Sequence, residues 1–275
     1  MKNIESAVAE HYGQAGLLAR ILKGLEANGA DPNRLQPEDL APVDEFHIGG
    51  RKATEHAVAK MSLSGDGHVL DVGCGIGGAA RYIASQVGCR VSGIDLTPEY
   101  IEIARTLTDR TGLGDKVNFE VASALAMPFE DEAFDAAITI HVAMNIRDRE
   151  SLYGEIARVM KSGATLCIYD VMKKSDEALT FPVPWADSNE TSHLTTPEEM
   201  HAFLGSAGFD VHDVEDRTDF ALEFFRQSLA SAADGPPPLG IHLIMGASAP
   251  EKLRNVLINI EAGRIAPVQM VASRN

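Results

Sequence analysis

A glycine-rich loop carries the residues best suited to binding a ligand, in the order Asp71-Val-Gly-Cys-Gly-Ile-Gly-Gly78. An apolar run precedes this loop and a helical pattern follows it. Such a loop can turn sharply, bring its backbone close to a ligand and direct the amides of the helix start towards it. About twenty residues on, Asp95 ends the next apolar run, where a carboxylate can accept both hydroxyls of a ribose. The spacing predicts a site for an adenosine-containing ligand.

The loop alone leaves the nucleotide open. Gly73, Gly75 and Gly78 match the GxGxxG pattern of dinucleotide sites, while Gly77 as third glycine gives the shorter GxGxG. Asp71 favours the shorter pattern, because a pyrophosphate gains nothing from a carboxylate at the loop entrance. A sulfonium ligand with an amino-acid tail has an ammonium group that can pair with one. The alternative, an NAD-dependent oxidoreductase, is disfavoured further by the lack of a Tyr-x-x-x-Lys pair after the fourth predicted strand.

Two further side chains could move a proton. His141 follows the fourth predicted strand and Asp170 ends the fifth. The carboxyl ends of parallel strands meet at the edge where open α/β sheets bind ligands, so both are candidate catalytic groups. The alternative, that His141 only packs against the ligand and Asp170 only caps a turn, stays open at this point.

The elements that must position these residues alternate between strands and helices. Strands are predicted at 68–72, 90–95, 117–121, 134–141, 165–170, 209–214 and 266–272, and helices at 77–87, 97–112, 148–160, 196–208 and near 250–262. This alternation predicts an α/β fold, a doubly wound, Rossmann-like and mostly parallel seven-stranded sheet.

The remaining segments are expected to cover the sheet edge. Residues 1–60 are predicted to form an N-terminal helical lid, with an irregular connector at 30–50, and residues 61–275 to form the main domain. Two stretches, 171–195 and 218–250, are predicted as insertions over the substrate. The second of these is polar and has a Gly-Pro-Pro-Pro turn at 235–238.

The composition limits the partners. The 275 residues include 24 Lys plus Arg and 40 Asp plus Glu, which gives a net charge of −16, and the pI is near 4.9. Such a surface repels phosphate backbones and anionic lipid, so neither nucleic acid nor a membrane is expected. No signal-peptide pattern, apolar span or metal-ligand spacing is found, and the three cysteines lack CxxC spacing. We expect a cytoplasmic protein with a small-molecule partner and no metal, for which a homodimer is one candidate assembly.

Four motifs, taken in order, resemble class I S-adenosylmethionine-dependent methyltransferases over residues 65–172. They are HVLDVGCGIGG, GIDLTPEYIEIA, FDAAITIHVAMNI and ARVMKSGATLCIYD. The segments FPVPWA and TPEEMHAFLGSAGF are similar to the sarcosine/dimethylglycine N-methyltransferase-like branch of small-molecule enzymes. The segment FHIGG resembles the Gly-Gly lid of phosphoethanolamine N-methyltransferases.

The resemblance implies S-adenosylmethionine as cofactor, leaving as S-adenosylhomocysteine, and a set of residues that would bind it. Those implied are Asp71, Gly73, Cys74, Gly75 and Gly77 at the methionine part, Asp95 at the ribose, Leu96, Ser123 and Ala124 at the adenine, and Phe46 and His47 from the lid, with His141 packing nearby. Ser123 stands where many family members have an Asp that binds the adenine amino group.

The resemblance also implies methyl transfer by in-line displacement and two candidate catalytic pairs. His141 with Asp170 is similar to the pair of natural-product sugar O-methyltransferases, and Tyr12 with His141 to the pair of phosphoethanolamine N-methyltransferases. The acidic surface and the branch resemblance favour an amine acceptor, whereas a histidine base favours a hydroxyl. Methylation of a prenyl carbon is a further alternative.

Overall fold

The computed structural model describes residues 16–231, 235 and 237–275, and in this part of the chain seven strands form one sheet. Their order is β3-β2-β1-β4-β5-β7-β6. The strands are β1 (His68–Val72), β2 (Arg90–Asp95), β3 (Val117–Val121), β4 (Phe134–Ile140), β5 (Met160–Lys173), β6 (Phe209–Asp216) and β7 (Ile265–Arg274). Strand β7 lies antiparallel to both β5 and β6, and the other neighbours are parallel. The predicted α/β fold with a mostly parallel seven-stranded sheet is confirmed.

Helices cover both faces of the sheet. They are α1 (Leu17–Ala27), α2 (Pro37–Asp44), α3 (Gly50–Ala59), α4 (Gly78–Val87), α5 (Pro98–Arg110), α6 (Arg149–Val159), α7 (Pro197–Ser206), α8 (Thr218–Ser231), the short α9 (His242–Met245) and α10 (Ala249–Glu261). On one face Leu70 packs with α6 and α7, and on the other Val69 packs with α3, α4 and α5. Alternate residues of β1 are thus buried on opposite sides, as expected of a central strand in a doubly wound sheet.

Three helices, α2, α8 and the short α9, lie where no helix was predicted. Helix α2 occupies the middle of the segment expected to be irregular. Its start is stabilised by a capping box between Gln36 and Asp39, with Pro37 in the first helical turn. Helix α8 occupies the stretch expected to be a polar insertion, and it buries Ala221 and Phe225 against the core. The prolines of the first segment are typical of irregular structure, so the sequence pattern there does not indicate α2.

The N-terminal helices are tied to the start of α4. A Cβ atom on Gly78 would lie 2.5 Å from the carbonyl oxygen of Asp44, so only glycine permits this contact. The guanidinium of Arg81 is fully buried, pairs with the Asp44 carboxylate at 2.5 Å and donates to the Ile76 carbonyl at 2.8 Å. Arg81 therefore holds the end of α2 against the glycine-rich loop. None of the helices in the described ranges has the length and apolarity needed to cross a bilayer.

Candidate active site

A cavity of about 460 Å³ lies at the carboxyl edge of the sheet, a volume within the usual range for small-molecule sites. The strand ends supply its floor, and the segment after α2 and the C-terminal helices supply its walls. The lining comes mainly from residues 44–48, 71–76, 94–97, 122–125, 140–148, 184–185, 224–225 and 253–256. The prediction that the ligand site lies at this edge is supported by the geometry.

The amides of the glycine-rich loop are used within the protein. The N–H groups of Gly73 and Cys74 both donate to the Ile94 carbonyl, at 2.8 and 2.9 Å. Gly75 N–H donates to Asp95 Oδ2 at 3.0 Å, and Gly77 N–H donates to the Cys74 carbonyl at 2.9 Å. These four amides are therefore not available to a ligand. They precede the helix start at Gly78, whose amides were the ones expected to face the ligand, and of those Ala80 N–H donates to Asp71.

The loop does leave space for a ligand. Gly73 and Gly75 have φ angles of +74° and +53°, in the region that favours glycine. A Cβ atom on Gly75 would meet nothing within 4 Å, and this residue lines the cavity. A Cβ atom on Gly73 would lie 2.5 Å from the Val142 side chain. The first glycine thus brings the end of β4 close, and the second borders empty space.

Two carboxylates, the buried Asp71 and the half-buried Asp95, stand on either side of this loop. Asp71 is 2% exposed, and its Oδ2 has no hydrogen-bond partner among the described residues. Burial, together with the charge of Asp95, raises the pKa of Asp71 to about 7. Burial also raises the pKa of Asp95, whose oxygens accept the N–H groups of Gly75 and Thr97. Asp71 also accepts the Ala80 N–H, so one of its oxygens is bonded and Oδ2 remains for a ligand. A buried carboxylate oxygen without a partner gains from a cationic group, so this end of the cavity fits a positively charged ligand without phosphate.

Most of the predicted cofactor residues meet at this cavity. Lining it are Phe46, His47, Asp71, Gly73, Cys74, Gly75, Asp95, Leu96, Ser123, Ala124 and His141. Gly77 is not among the lining residues. It lies beneath the loop, where a Cβ atom would be 2.6 Å from the Phe119 ring. Tyr12 lies outside the described residues.

His141 has an unusual backbone and a free ring nitrogen. Its φ is +55°, which is uncommon for a residue with a side chain and is found most often at functional sites. Its N–H donates to the Tyr169 carbonyl at 2.7 Å, and the two rings lie 5.3 Å apart. Its Nε2 has no partner among the described residues. Burial lowers the pKa of His141 well below its ordinary value, so the imidazole is neutral at pH 7.

A second imidazole, that of His47, lies 5.8 Å from the ring of His141. Burial lowers the pKa of His47 to about 4. Its Nε2 is already occupied, since it lies 3.2 Å from both the Gly50 carbonyl and the Thr54 hydroxyl. Nε2 is therefore bonded within the protein in His47 and has no partner in His141.

Asp170 lies next to the cavity but is not among its lining residues. Its Oδ1 accepts Val171 N–H at 2.9 Å and its Oδ2 accepts Met144 N–H at 3.2 Å. Burial raises the pKa of Asp170 to about 7. These bonds hold the short 3-10 turn Ala143–Asn145 that follows His141. The carboxylate is therefore placed to fix this turn.

Several lining residues were missed in the sequence. They are Asp44 and Glu45 after α2, Phe224 and Phe225 on α8, and Leu253 and Val256 on α10. The apolar spacing of Phe220, Ala221, Phe224 and Phe225 is helical and could have revealed α8. No pattern in the sequence marks the two acids.

Comparison with known proteins decides the family. The methyltransferase domain family matches residues 70–168. Methyltransferase GfsG from Streptomyces halstedii is 30% identical over 213 residues, which are 76% of this chain and 74% of that protein. The chain belongs to the methyltransferase family. This confirms the class I resemblance and S-adenosylmethionine as the cofactor, and it removes the oxidoreductase alternative.

Solved structures of methyltransferases share the fold. A geranyl diphosphate C-methyltransferase from Streptomyces coelicolor A3(2), in complex with S-adenosyl-L-homocysteine, has a TM-score of 0.74 at 17% identity and covers 100% of this chain and 99% of that chain. Phosphoethanolamine N-methyltransferase 2 from Haemonchus contortus, in complex with S-adenosyl-L-methionine, has a TM-score of 0.77 at 18% identity and covers 100% of this chain and 60% of that chain. At such identities the likeness shows the fold alone.

Proposed function

We propose that this methyltransferase transfers a methyl group to a nitrogen or oxygen atom of a small molecule, with His141 as the base. The observation that carries the proposal is the Nε2 of a neutral, half-buried His141 on the wall of the cavity, because this atom has no hydrogen-bond partner among the described residues. Its neighbour Val142 contacts the glycine-rich loop, so the histidine stands close to the cofactor end. A base is needed only where the nucleophile must lose a proton.

The residues present fit the cofactor. S-Adenosylmethionine supplies a methyl group bound to a sulfonium. Asp71 offers its unpaired Oδ2 to the ammonium group, and Gly75 leaves room beside the loop. Asp95 is placed for the ribose hydroxyls, because each of its oxygens keeps acceptor capacity beyond one backbone bond. Leu96, Ser123 and Ala124 would border the adenine.

His141 has one chemical task in this scheme. Its Nε2 accepts the proton that the acceptor loses as the new bond to the methyl carbon forms, which requires the tautomer with hydrogen on Nδ1. The Tyr169 backbone and ring hold the imidazole in place, and burial keeps bulk water away. We propose that Asp170 positions this histidine through the turn at Ala143–Asn145. Holding the reactants in line supplies much of the acceleration.

A histidine base limits which kind of atom can accept the methyl group. Relatives of the chain are named as N-, O- and C-methyltransferases. A hydroxyl makes full use of a histidine base, and an amine loses its proton to the same group. A prenyl carbon remains the alternative. We further propose that residues 1–60, with Tyr12, and the stretches 171–195 and 218–250 close over the acceptor.

The test compares two histidines at opposite edges of the sheet. His141→Asn should lower kcat by roughly 10²–10⁴-fold, since it removes the base, and should leave S-adenosylhomocysteine affinity nearly unchanged. His68→Asn, at the start of β1 and away from the cavity, is the matched control and should keep kcat. An unchanged kcat in His141→Asn would show that His141 is not the base.

A further inference from the structure

The far end of the cavity has a different chemistry from the cofactor end. Its wall is built by Met144, Trp185, Phe224, Phe225, Leu253 and Val256, which we call the apolar end. These side chains come from the turn after β4, the loop after β5, and helices α8 and α10. All six are apolar or aromatic, and they belong to one packed cluster. A ligand at the apolar end would contact mainly apolar and aromatic side chains.

The polar groups nearest the apolar end are occupied in fixing its wall. The indole N–H of Trp185 donates to the Ser192 hydroxyl at 3.0 Å. Asn145 Nδ2 donates to the Trp185 carbonyl at 2.7 Å, and Asn255 Nδ2 donates to the Pro182 carbonyl at 2.8 Å. These bonds join α10 and the turn after β4 to the loop after β5. The wall is therefore held in place by side chains that keep few donors for a ligand.

The charge of the cavity opposes an anionic acceptor. Among the described residues that line it, Arg147 is the single Lys or Arg, against Asp44, Glu45, Asp71, Asp95 and Asp148. The described ranges also contain no group of three side chains that could hold a metal ion to neutralise a diphosphate. A carboxylate or diphosphate would lose its hydration and meet one exposed arginine among five acids, and such burial is costly.

The acids do not make the apolar end a cation site. Asp44 pairs with Arg81 at 2.5 Å and Glu45 pairs with Arg51 at 2.7 Å. Asp71 and Asp95 stand at the glycine-rich loop, on the cofactor side. The charges of these four acids therefore belong to the cofactor end and to internal pairs. The other two charged lining residues, Arg147 and Asp148, are exposed, and Asp148 accepts Ser151 N–H at the start of α6. None of the six side chains of the apolar end carries a charge.

We propose that the acceptor is an apolar molecule without carboxylate or phosphate groups, whose body lies against the apolar end and whose nucleophilic atom faces His141. This deepens the proposed function and rests on it. It separates the chain from enzymes that methylate small zwitterionic amino acids or prenyl diphosphates. Neither of those acceptors would find its charge matched by the described walls.

The first test uses a matched pair of probes that differ by one charged group. With S-adenosylhomocysteine present to fill the cofactor end, the neutral fluorophore N-phenyl-1-naphthylamine should bind and brighten. Geraniol should displace it at a concentration at least about ten-fold lower than geranyl diphosphate, because only the diphosphate must bury an unmatched charge. Equal or better displacement by geranyl diphosphate, or by sarcosine, would overturn the proposal.

The second test places the probe at the apolar end with two variants of one helix. Leu253→Asp puts a carboxylate into the wall of the cavity and should weaken probe binding about ten-fold or more. Ile258→Asp makes the same change on the exposed side of α10, where the side chain is 38% exposed, and should leave binding unchanged. Phe224→Ala is a smaller change in the same wall and should also weaken probe binding. It replaces Leu253→Asp in the test if that variant does not fold.

Binding of S-adenosylhomocysteine, measured by calorimetry on each protein, separates the two failures. If the wild-type protein does not bind S-adenosylhomocysteine, the proposed function is contradicted, whatever the fluorescence response. If S-adenosylhomocysteine binds normally but the fluorophore gives no response, only the proposal of an apolar acceptor is contradicted. The same holds if the responses of Leu253→Asp and Ile258→Asp are equal.

Discussion

At the scale of single residues, the site contains a half-buried histidine and a buried aspartate whose pKa values are shifted in opposite directions. Burial lowers the pKa of His141 well below its usual value and raises the pKa of Asp71 to about 7. The imidazole is neutral, and so able to accept a proton, at pH values where an exposed histidine is charged. The carboxyl group of Asp71 becomes neutral at pH values where an exposed aspartate remains charged.

These shifts predict different pH profiles for turnover and for cofactor binding. At saturating cofactor, kcat should stay level from about pH 8 to below about pH 6.5, because His141 gains a proton only at lower pH. The KM for S-adenosylmethionine should rise as pH falls below about 7, because protonated Asp71 no longer pairs with the ammonium group.

Steady-state kinetics across this range, with Asp71→Asn as control, would check both profiles. Asp71→Asn should flatten the pH dependence of KM and leave that of kcat in place. A fall of kcat centred at or above about pH 6.5 would mean that His141 titrates as an ordinary histidine.

Asp95 gives a second prediction at this scale. Asp95→Ala should weaken S-adenosylhomocysteine binding by about 1.5–3 kcal/mol, as for hydrogen bonds to a charged group. Asp135→Ala is the control, since Asp135 lies at the opposite edge of the sheet and pairs with Lys161. Calorimetric titration measures both. Equal affinities in the two variants would contradict the proposal that Asp95 binds the ribose hydroxyls.

At the scale of elements, the parts that the sequence predicts best are those that buried apolar runs and glycines define. The bounds of β1, β2 and β3 agree with prediction residue for residue, and the capping box between Thr196 and Glu199 starts α7 as expected. Strand β5 runs from Met160 to Lys173, beyond the predicted 165–170. Its end is extended by pairing with β7 as far as Lys173, and its start pairs with β4 at Phe134.

Tertiary contacts between distant segments account for what the sequence could not predict. The hydroxyl of Tyr169 donates to the Ile48 carbonyl across 121 positions, and through such bonds His47 comes beside His141. The use of the loop amides by Ile94 and Asp95 likewise depends on how β2 meets the loop. Local periodicity carries no information on either arrangement.

The glycine-rich loop gives a prediction at this scale, with a matched control. Gly75 and Gly112 both have positive φ angles, +53° and +70°, and a Cβ atom on either would meet nothing within 4 Å. Gly75→Ala and Gly112→Ala should therefore destabilise the fold by similar amounts, about 1–2 kcal/mol. Only Gly75→Ala should weaken S-adenosylhomocysteine binding, because its methyl group would enter the cavity.

Thermal unfolding and calorimetric titration of both glycine variants would decide the point. Undiminished ligand affinity in Gly75→Ala would show that the ligand lies elsewhere. Similar losses of affinity in both variants would mean that destabilisation of the fold, rather than contact between residue 75 and the ligand, weakens binding.

At the scale of the whole molecule, the sheet fixes one side of the site and later segments complete the other. The strand ends bring the glycine-rich loop, Asp95 and His141 to a single edge. Residues 44–48 line the cavity and are held by the Asp44–Arg81 pair, and α8 and α10 supply further lining residues. The family model matches residues 70–168, and part of the cavity lining lies outside that range.

The measurement that tests the account most directly is mass spectrometry after incubation with S-adenosylmethionine carrying a deuterated methyl group. The acceptors would be pooled amines, phenols, sugars, apolar alcohols and prenyl diphosphates. The account predicts one labelled methyl group on the nitrogen or oxygen of an apolar, non-anionic acceptor, with an equal amount of S-adenosylhomocysteine. Labelling at carbon, or of a prenyl diphosphate, would contradict the proposed acceptor, and failure to bind S-adenosylhomocysteine would contradict the proposed site.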